Sequence, residues 1–378
     1  MIKWKGVLFL PGKITNYFAG GNTARGFHSL YESCLDGLDR LFILKGGPGT
    51  GKSSLMKAIG YEWNDKGYDI EFLHCSSDND SIDGVIIPCL KVGIVDGTAP
   101  HVIEPKYPGA IEEYVNLGTA WDSTVLEAHR EEIKKLNGNI ANAYDEAYSY
   151  FSKALVVHDE WEKIYIENMD FTKADQLTTE LIEEFFAGKS LNKGAKVVHR
   201  FLGAATPKGA VDFVPNLTED IYKRYFIKGR PGSGKSTLLK KIATTADDKG
   251  FDVEIYHCGF DPNSLDMVII RELGIAIFDS TAPHEYFPDR ENDEIVDMYK
   301  RTIAPGTDEK YAAELLDITE RYATNMKSAI QCLAEAKEYH DELERYYIKA
   351  MDYHVVEVLK DEIEQEIKRL SMIGQTTQ

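Results

Sequence analysis

Apolar runs too short for helices alternate in this chain with longer stretches whose apolar residues recur at helical spacing. Leu41 to Leu44 and Tyr225 to Ile227 read as buried strands that run into glycine-rich loops. Beyond each loop the spacing turns helical, from about Lys52 to Asn64 and from Lys235 to Ala246. "DIEFLH" and "DVEIYH", then "KVGIVD" and "GIAIFD", are further short apolar strands with polar ends. Helix or loop between such strands predicts an α/β fold with a mostly parallel sheet. The runs "GVLFL" and "VVHRFL" could each add one more strand. After Pro105 and Pro288 the pattern turns helical and stays so. Residues 124–169 and 308–351 read as long helices, and Asp170 and Asp352 as N-caps of a second helix, giving an antiparallel helical hairpin in each half. Gly138 is read as tolerated within its helix, because the other copy has Glu320 there.

These paired segments are one repeat. Shifted by 183 residues, Phe18–Pro105 lies over Phe201–Pro288 without a gap, and 30 of the 57 positions from Lys45 to His101 are identical. The match resumes, one residue shorter, as "HDEWEKIYIENMDF" (158–171) over "HDELERYYIKAMDY" (340–353). The period is that of a domain rather than a solenoid. The expected organisation is a domain at 1–188 with a hairpin at about 111–186, a linker at 189–197, and a domain at 198–378 with a hairpin at about 292–371.

Charge narrows the partners. With 62 acidic and 43 basic residues the net charge is −19, and the longest basic clusters are Lys134-Lys135 and Lys240-Lys241. No nucleic-acid or membrane-surface binding is expected of such a chain. Five cysteines without metal-ligand spacing fit reduced thiols. The apolar run before Pro11 is too short for a signal peptide, and no stretch approaches the roughly 20 apolar residues of a membrane span, so a cytoplasmic protein is expected.

The chemistry lies in the loops. GxxxxGK[ST] fits Gly46, Gly47, Pro48, Gly49, Thr50, Gly51, Lys52 and Ser53, followed by Ser54, and again Gly229, Arg230, Pro231, Gly232, Ser233, Gly234, Lys235 and Ser236, followed by Thr237. Glycines let successive N–H groups turn inward around an anionic phosphate chain, and the following helix places its positive end beneath it. Lys52 and Lys235 can then reach the β- and γ-phosphates, while the Ser53 and Ser236 hydroxyls can ligate Mg²⁺.

On these motifs both halves resemble P-loop nucleoside triphosphatases, over the roughly 90 sheet-forming residues of each. The whole chain is similar to a bacterial family with two P-loop domains in tandem, described as ATP-binding or ATPase-like. The resemblance implies Walker B carboxylates, and Asp96 and Asp279 fit, each ending a strand 44 residues beyond its lysine. They are expected to hold Mg²⁺ through water, or else to cap the next turn. Many ATPases of the superfamily carry a Glu after that Asp; here Gly97 and Ser280 follow, then Thr-Ala-Pro-His in both copies. "DGTAP" resembles a nucleotide-kinase motif without its arginine. GTP-selective members carry an NKxD-like motif, which "LNKGA" (191–195) lacks, so ATP with Mg²⁺ is expected.

Asp78 and Asp261 follow the second strand and read either as general bases or as loop caps. Asp83 and Asp266 read as helix starts, His101 and His284 as structural hydrogen bonders or else γ-phosphate sensors, and His74-Cys75 and His257-Cys258 as packed strand ends. Thr23, Arg25 and Gly26, with Thr206, Lys208 and Gly209, read as a turn that could bind a phosphate. His158 with Glu162, and His340 with Glu344, share helix faces and read as solvated or as a contact between hairpins. The expectation is Mg·ATP binding at both loops with slow or partner-stimulated hydrolysis. The alternatives are a small-molecule or nucleotide kinase, and a nucleotide-dependent switch whose acidic hairpins recruit a protein.

Overall fold

The structure, a computed structural model, describes residues 3–4, 7–8 and 10–376. Its centre is one twelve-stranded sheet to which both halves contribute. The first half supplies β1 (Ile14–Phe18), β2 (Arg40–Lys45), β3 (Ile70–His74), β4 (Ile82–Ile87), β5 (Val92–Asp96) and β6 (Glu112–Asn116). The second supplies β7 (Val197–Phe201), β8 (Lys223–Lys228), β9 (Val253–His257), β10 (Leu265–Ile270), β11 (Ile275–Asp279) and β12 (Glu294–Asp297). Across the sheet the order is β6-β2-β5-β4-β3-β1-β7-β9-β10-β11-β8-β12, so the two halves meet at β1 and β7 about a pseudo-twofold axis.

The α/β class holds, but the sheet is mixed, with six of its eleven pairings parallel. The segments starting at Asp83 and Asp266 are not helices. A tight turn, in which the Ser81 N–H donates to the Asp78 carbonyl at 3.0 Å, sends the chain straight back as β4, antiparallel to β3. Every residue of β4 and β10 is buried, so neither shows the alternation that marks a half-exposed strand. Nor does the chain stay helical after Pro105 and Pro288. β6 and β12 are edge strands, parallel to β2 and β8, and each buries only one residue, Val115 and Val296.

Of "GVLFL", Gly6 and Phe9 lie outside the described residues, and Val7–Leu8 pairs with Lys3–Trp4 away from the main sheet. The place matching "VVHRFL" is taken by β1. Two hairpins, Gly20–Thr23 with Gly26–Ser29 and Gly203–Thr206 with Gly209–Asp212, join into a separate four-stranded sheet. Thr23 and Thr206 close their turns by donating to the Gly26 and Gly209 carbonyls, both at 2.7 Å.

The helices that matter are α1 (Lys52–Asp65), α2 (Arg130–Glu167), α3 (Phe171–Phe186), α4 (Lys235–Asp248), α5 (Ala312–Ala350) and α6 (Tyr353–Thr376). Gly138 lies inside α2. The long helices are interrupted at His129 and Tyr311, which follow the short helices Ser123–Ala128 and Thr307–Lys310. Asp170 caps α3, accepting from the Lys173 N–H at 3.1 Å, and Asp352 accepts from the His354 N–H at 3.0 Å. The expected hairpin within each half is replaced by an exchange. α2 has 38 residues, roughly 57 Å at 1.5 Å per residue, enough to carry the chain across the molecule. It packs antiparallel on α5, with Ala147 and Phe151 against Ala329 and Leu333, and Val157 and Ile164 against Ile318. Beyond it, Leu177, Leu181, Phe185 and Phe186 of α3 join Leu238 and Ile242 of α4 in the second half's core. Reciprocally, Val356, Ile363 and Ile367 of α6 join Leu55, Ile59 and Trp63 of α1 in the first. From Lys189 to Lys196 the connection has no helix or strand, and Lys193 is tied to Asp252 at 2.7 Å and Glu272 at 2.8 Å.

Histidines near the seam are held neutral. Burial, helped by the Lys57 charge, lowers the His74 pKa to about 4, and burial lowers those of His199 and His257. His257 Nδ1 lies 2.6 Å from the Pro262 carbonyl, so it carries the proton and its Nε2 accepts from His199 Nδ1 at 2.8 Å. A histidine whose pKa is depressed by folding costs nothing while neutral in both states. Stability is lost as pH falls through the unfolded value of about 6.5 toward the folded one. His74 alone should remove about 2 kcal/mol between pH 7.5 and pH 5. Urea unfolding at the two pH values checks this, and His74→Gln should show a correspondingly smaller loss.

Candidate functional site

Each glycine loop joins the strand next to a sheet edge to a helix, β2 to α1 and β8 to α4. Gly51 (φ +89°) and Gly234 (φ +86°) are the N-caps, in the left-handed region that glycine adopts without strain. The loop therefore turns directly into the helix, whose first N–H groups have no intrahelical partner. Thr50 is buried and donates to the Gly47 carbonyl at 2.8 Å; Ser233 is also buried. Ser54 and Thr237 are exposed.

Sheet register brings the lysines and the strand-end aspartates together. Asp96 is in register with Leu44 of β2, and Asp279 with Ile227 of β8. Lys52 Nζ lies 3.5 Å from Asp96 Oδ2, and Lys235 Nζ lies 3.2 Å from Asp279 Oδ2. The other carboxylate oxygen caps the following turn, accepting from the Thr98 N–H at 2.8 Å and the Thr281 N–H at 3.1 Å. The two readings of these aspartates are thus compatible. Ser53 Oγ accepts from the Ile82 N–H, and Ser236 Oγ from the Leu265 N–H, both at 3.0 Å, so β4 and β10 fix both hydroxyls. A hydroxyl and a carboxylate beside the loop are the hard oxygen donors that suit Mg²⁺.

Asp78 and Asp261 are engaged rather than free. Asp78 accepts from the Asp80 N–H at 3.0 Å and the Ser81 hydroxyl at 2.8 Å, and lies 3.7 Å from Lys337 of α5. Asp261 accepts from the Asn263 N–H at 3.2 Å and from Arg25 Nε at 2.8 Å. Burial pushes the Asp261 carboxyl up, but the Arg25 and Asn263 hydrogen bonds outweigh it, and its pKa lies below the usual value. Lys208 reaches Asp80 at 3.1 Å, so both turn cations bind acids of the opposite half.

A second acid at each site was not legible as such. Asp83 and Asp266 are buried within apolar strands. Burial, with the Asp279 charge adding, raises Asp266 to about 6, and burial likewise raises Asp83. The available signal was an acid at one position of an otherwise apolar run in both copies. Tyr31 donates to Asp83 at 3.0 Å, and His101 Nε2 lies 3.5 Å away. His284 instead donates from Nδ1 to Asp212 at 2.8 Å. Cys75 is buried and Cys258 half-buried, each just after its strand.

Helices of the opposite half roof each loop. Over the second lies a cavity of about 1100 Å³, lined by Lys235, Ser236, Asp266, Asp279 and His284 together with His158, Trp161 and Glu162 of α2. Gly232 lies so close to α2 that a Cβ there would sit 2.4 Å from the Glu162 carbonyl oxygen. Over the first loop, Glu344 of α5 accepts from the Gly49 N–H at 3.2 Å, and Tyr353 donates to the Gly49 carbonyl at 2.9 Å. The shared faces of His158 with Glu162 and of His340 with Glu344 are therefore contact surfaces between the halves. Among the described residues no helix is long and apolar enough to cross a membrane. Comparison with protein-family models, curated proteins and solved structures finds no match to this chain.

Proposed function

We propose that the chain is a tandem pair of P-loop domains that bind Mg·ATP and hydrolyse it slowly or on stimulation by a partner. The observation that carries this reading is the twofold meeting of glycine loop, lysine and strand-end aspartate, with Lys235 3.2 Å from Asp279 and Lys52 3.5 Å from Asp96. In this reading the loop N–H groups and the lysine ammonium hold phosphate oxygens. Ser53 with Asp96, and Ser236 with Asp279, would hold the metal, which screens the phosphate charge. The residues after Asp96 and Asp279 offer no carboxylate to orient water, which is why turnover is expected to be slow. The exchanged helices favour a switch as the second reading, since movement at one site would be felt by the other half.

Titration calorimetry with ATP, GTP and inorganic triphosphate, each with and without Mg²⁺, tests the reading. Magnesium-dependent association of ATP is expected, with slow phosphate release. No association with any of the three would overturn it.

A further inference from the structure

The two loops are not in the same state, and the difference lies in one loop position and in the side chains packed on the loops. From Gly46 to Ser53 the first loop differs from the second at two positions, Gly47 for Arg230 and Thr50 for Ser233. Arg230 Nη2 pairs with Asp308 at 2.8 Å, and Asp308 also accepts from the Tyr165 hydroxyl at 2.8 Å. In the repeat, Tyr347 matches Tyr165. With no side chain on Gly47, the Tyr347 ring lies directly on the first loop, where a Cβ would be 2.6 Å from it. Beside it, Glu344 takes the Gly49 N–H at 3.2 Å, whereas its match Glu162 lines the open cavity over the second loop. The lysines follow suit. Lys52 donates to the Gly46 and Gly47 carbonyls at 2.7 and 2.8 Å, folded onto its own loop; Lys235 lies 3.4 Å from the corresponding Arg230 carbonyl and 3.3 Å from Thr281 Oγ1.

We propose that Glu344 is a stopper for the first loop, its carboxylate occupying an amide that would otherwise receive a phosphate oxygen. This rests on the nucleotide-binding reading above. A carboxylate on such an amide is an anion already seated in an anion site, so a triphosphate must displace it and cannot share the site without like-charge repulsion. Lys337 beside Asp78 at 3.7 Å and Tyr353 on Gly49 hold the helices that present it. The second loop therefore fills first, and the first fills only when α5 withdraws Glu344. Because α5 packs along α2, which roofs the second loop, occupancy of the second site can bias that withdrawal.

The test isolates the first loop with Lys235→Ala and compares it with Lys235→Ala/Glu344→Gln, using Mg·ATP calorimetry on the full chain. Glutamine keeps the size and the accepting oxygen but removes the charge. At least tenfold tighter binding is expected in the double variant. Equal or weaker affinity on adding Glu344→Gln overturns the stopper, as does first-loop binding in Lys235→Ala that already matches the wild type's tightest site. Lys52→Ala is measured alongside. Binding there, with no gain on adding Glu344→Gln to Lys235→Ala, sinks only the stopper. So does loss of binding in Lys52→Ala while the wild type binds, since the first loop would then be the one that fills. No binding in the wild type sinks the nucleotide reading and the stopper with it.

Discussion

Lys235→Ala should weaken Mg·ATP binding at the second loop about a hundredfold, the largest effect expected of any single side chain there. The Lys235 side chain is 12% exposed and lies against Asp279, so its ammonium is already partly desolvated and positioned. Hydrogen bonds to charged groups contribute about 1.5–3 kcal/mol each, and two to phosphate oxygens give about 3 kcal/mol, or two decades in affinity. A second consequence follows from the acids. The Lys235 ammonium opposes the burial and the Asp279 charge that raise the Asp266 carboxyl, so without it Asp266 should take up its proton at higher pH when the free protein is titrated. Mg·ATP calorimetry measures the affinity, and potentiometric titration of the free wild type and variant measures the proton uptake. An affinity loss below threefold would place the phosphates elsewhere.

Arg200→Ala should destabilise the whole protein by about 3–5 kcal/mol, read from urea unfolding. Arg200 is buried at the seam, where its guanidinium lies 2.9 Å from Glu71 of β3 and 3.7 Å from Glu254 of β9, one acid from each half. Its other face stacks on Tyr17, 4.1 Å from the ring centre. In the repeat Tyr17 matches Arg200 and Glu71 matches Glu254, so the pseudo-twofold axis sets unlike residues face to face. Two arginines there would repel each other, and two tyrosines would leave Glu71 without a cation, Glu254 keeping only Arg271. Truncation to alanine leaves the half-buried Glu71 without its cation, while Glu254 keeps Arg271, and breaking such a pair on one side is the costly case. Arg200→Lys keeps the charge but loses the planar stack and should fall between the two. A loss under 1 kcal/mol for Arg200→Ala would show that solvent reaches these acids.

What the sequence reveals here is what is local. The loops declare themselves because phosphate-cradling geometry demands particular residues at fixed spacing. Asp96 and Asp279 follow from strand endings, and Asp170 and Asp352 from capping chemistry. The partners of α3 and α6 are not local. An apolar stripe on a helix requires burial but does not say against which half, and Leu177 satisfies the periodicity on either core. β4 and β10 were hidden for a related reason: a strand buried on both faces has lost the alternation that betrays strands. Glu344 reads in the sequence as a solvated or hairpin-contact acid beside His340, and the amide it reaches, that of Gly49, is 295 residues away in the chain, beyond any local rule.

The crossed helices also change what dilution does to this protein. A single copy of the repeat would leave Leu238 and Ile242, or Leu55 and Ile59, wet until it met a second copy, and its folding would weaken as concentration fell. Covalent fusion through residues 189–196 keeps the complementary arm at an effective concentration on the order of millimolar, however scarce the protein is. Fusion also frees the two copies to differ, so that one cradle can stand shut while its twin stays open.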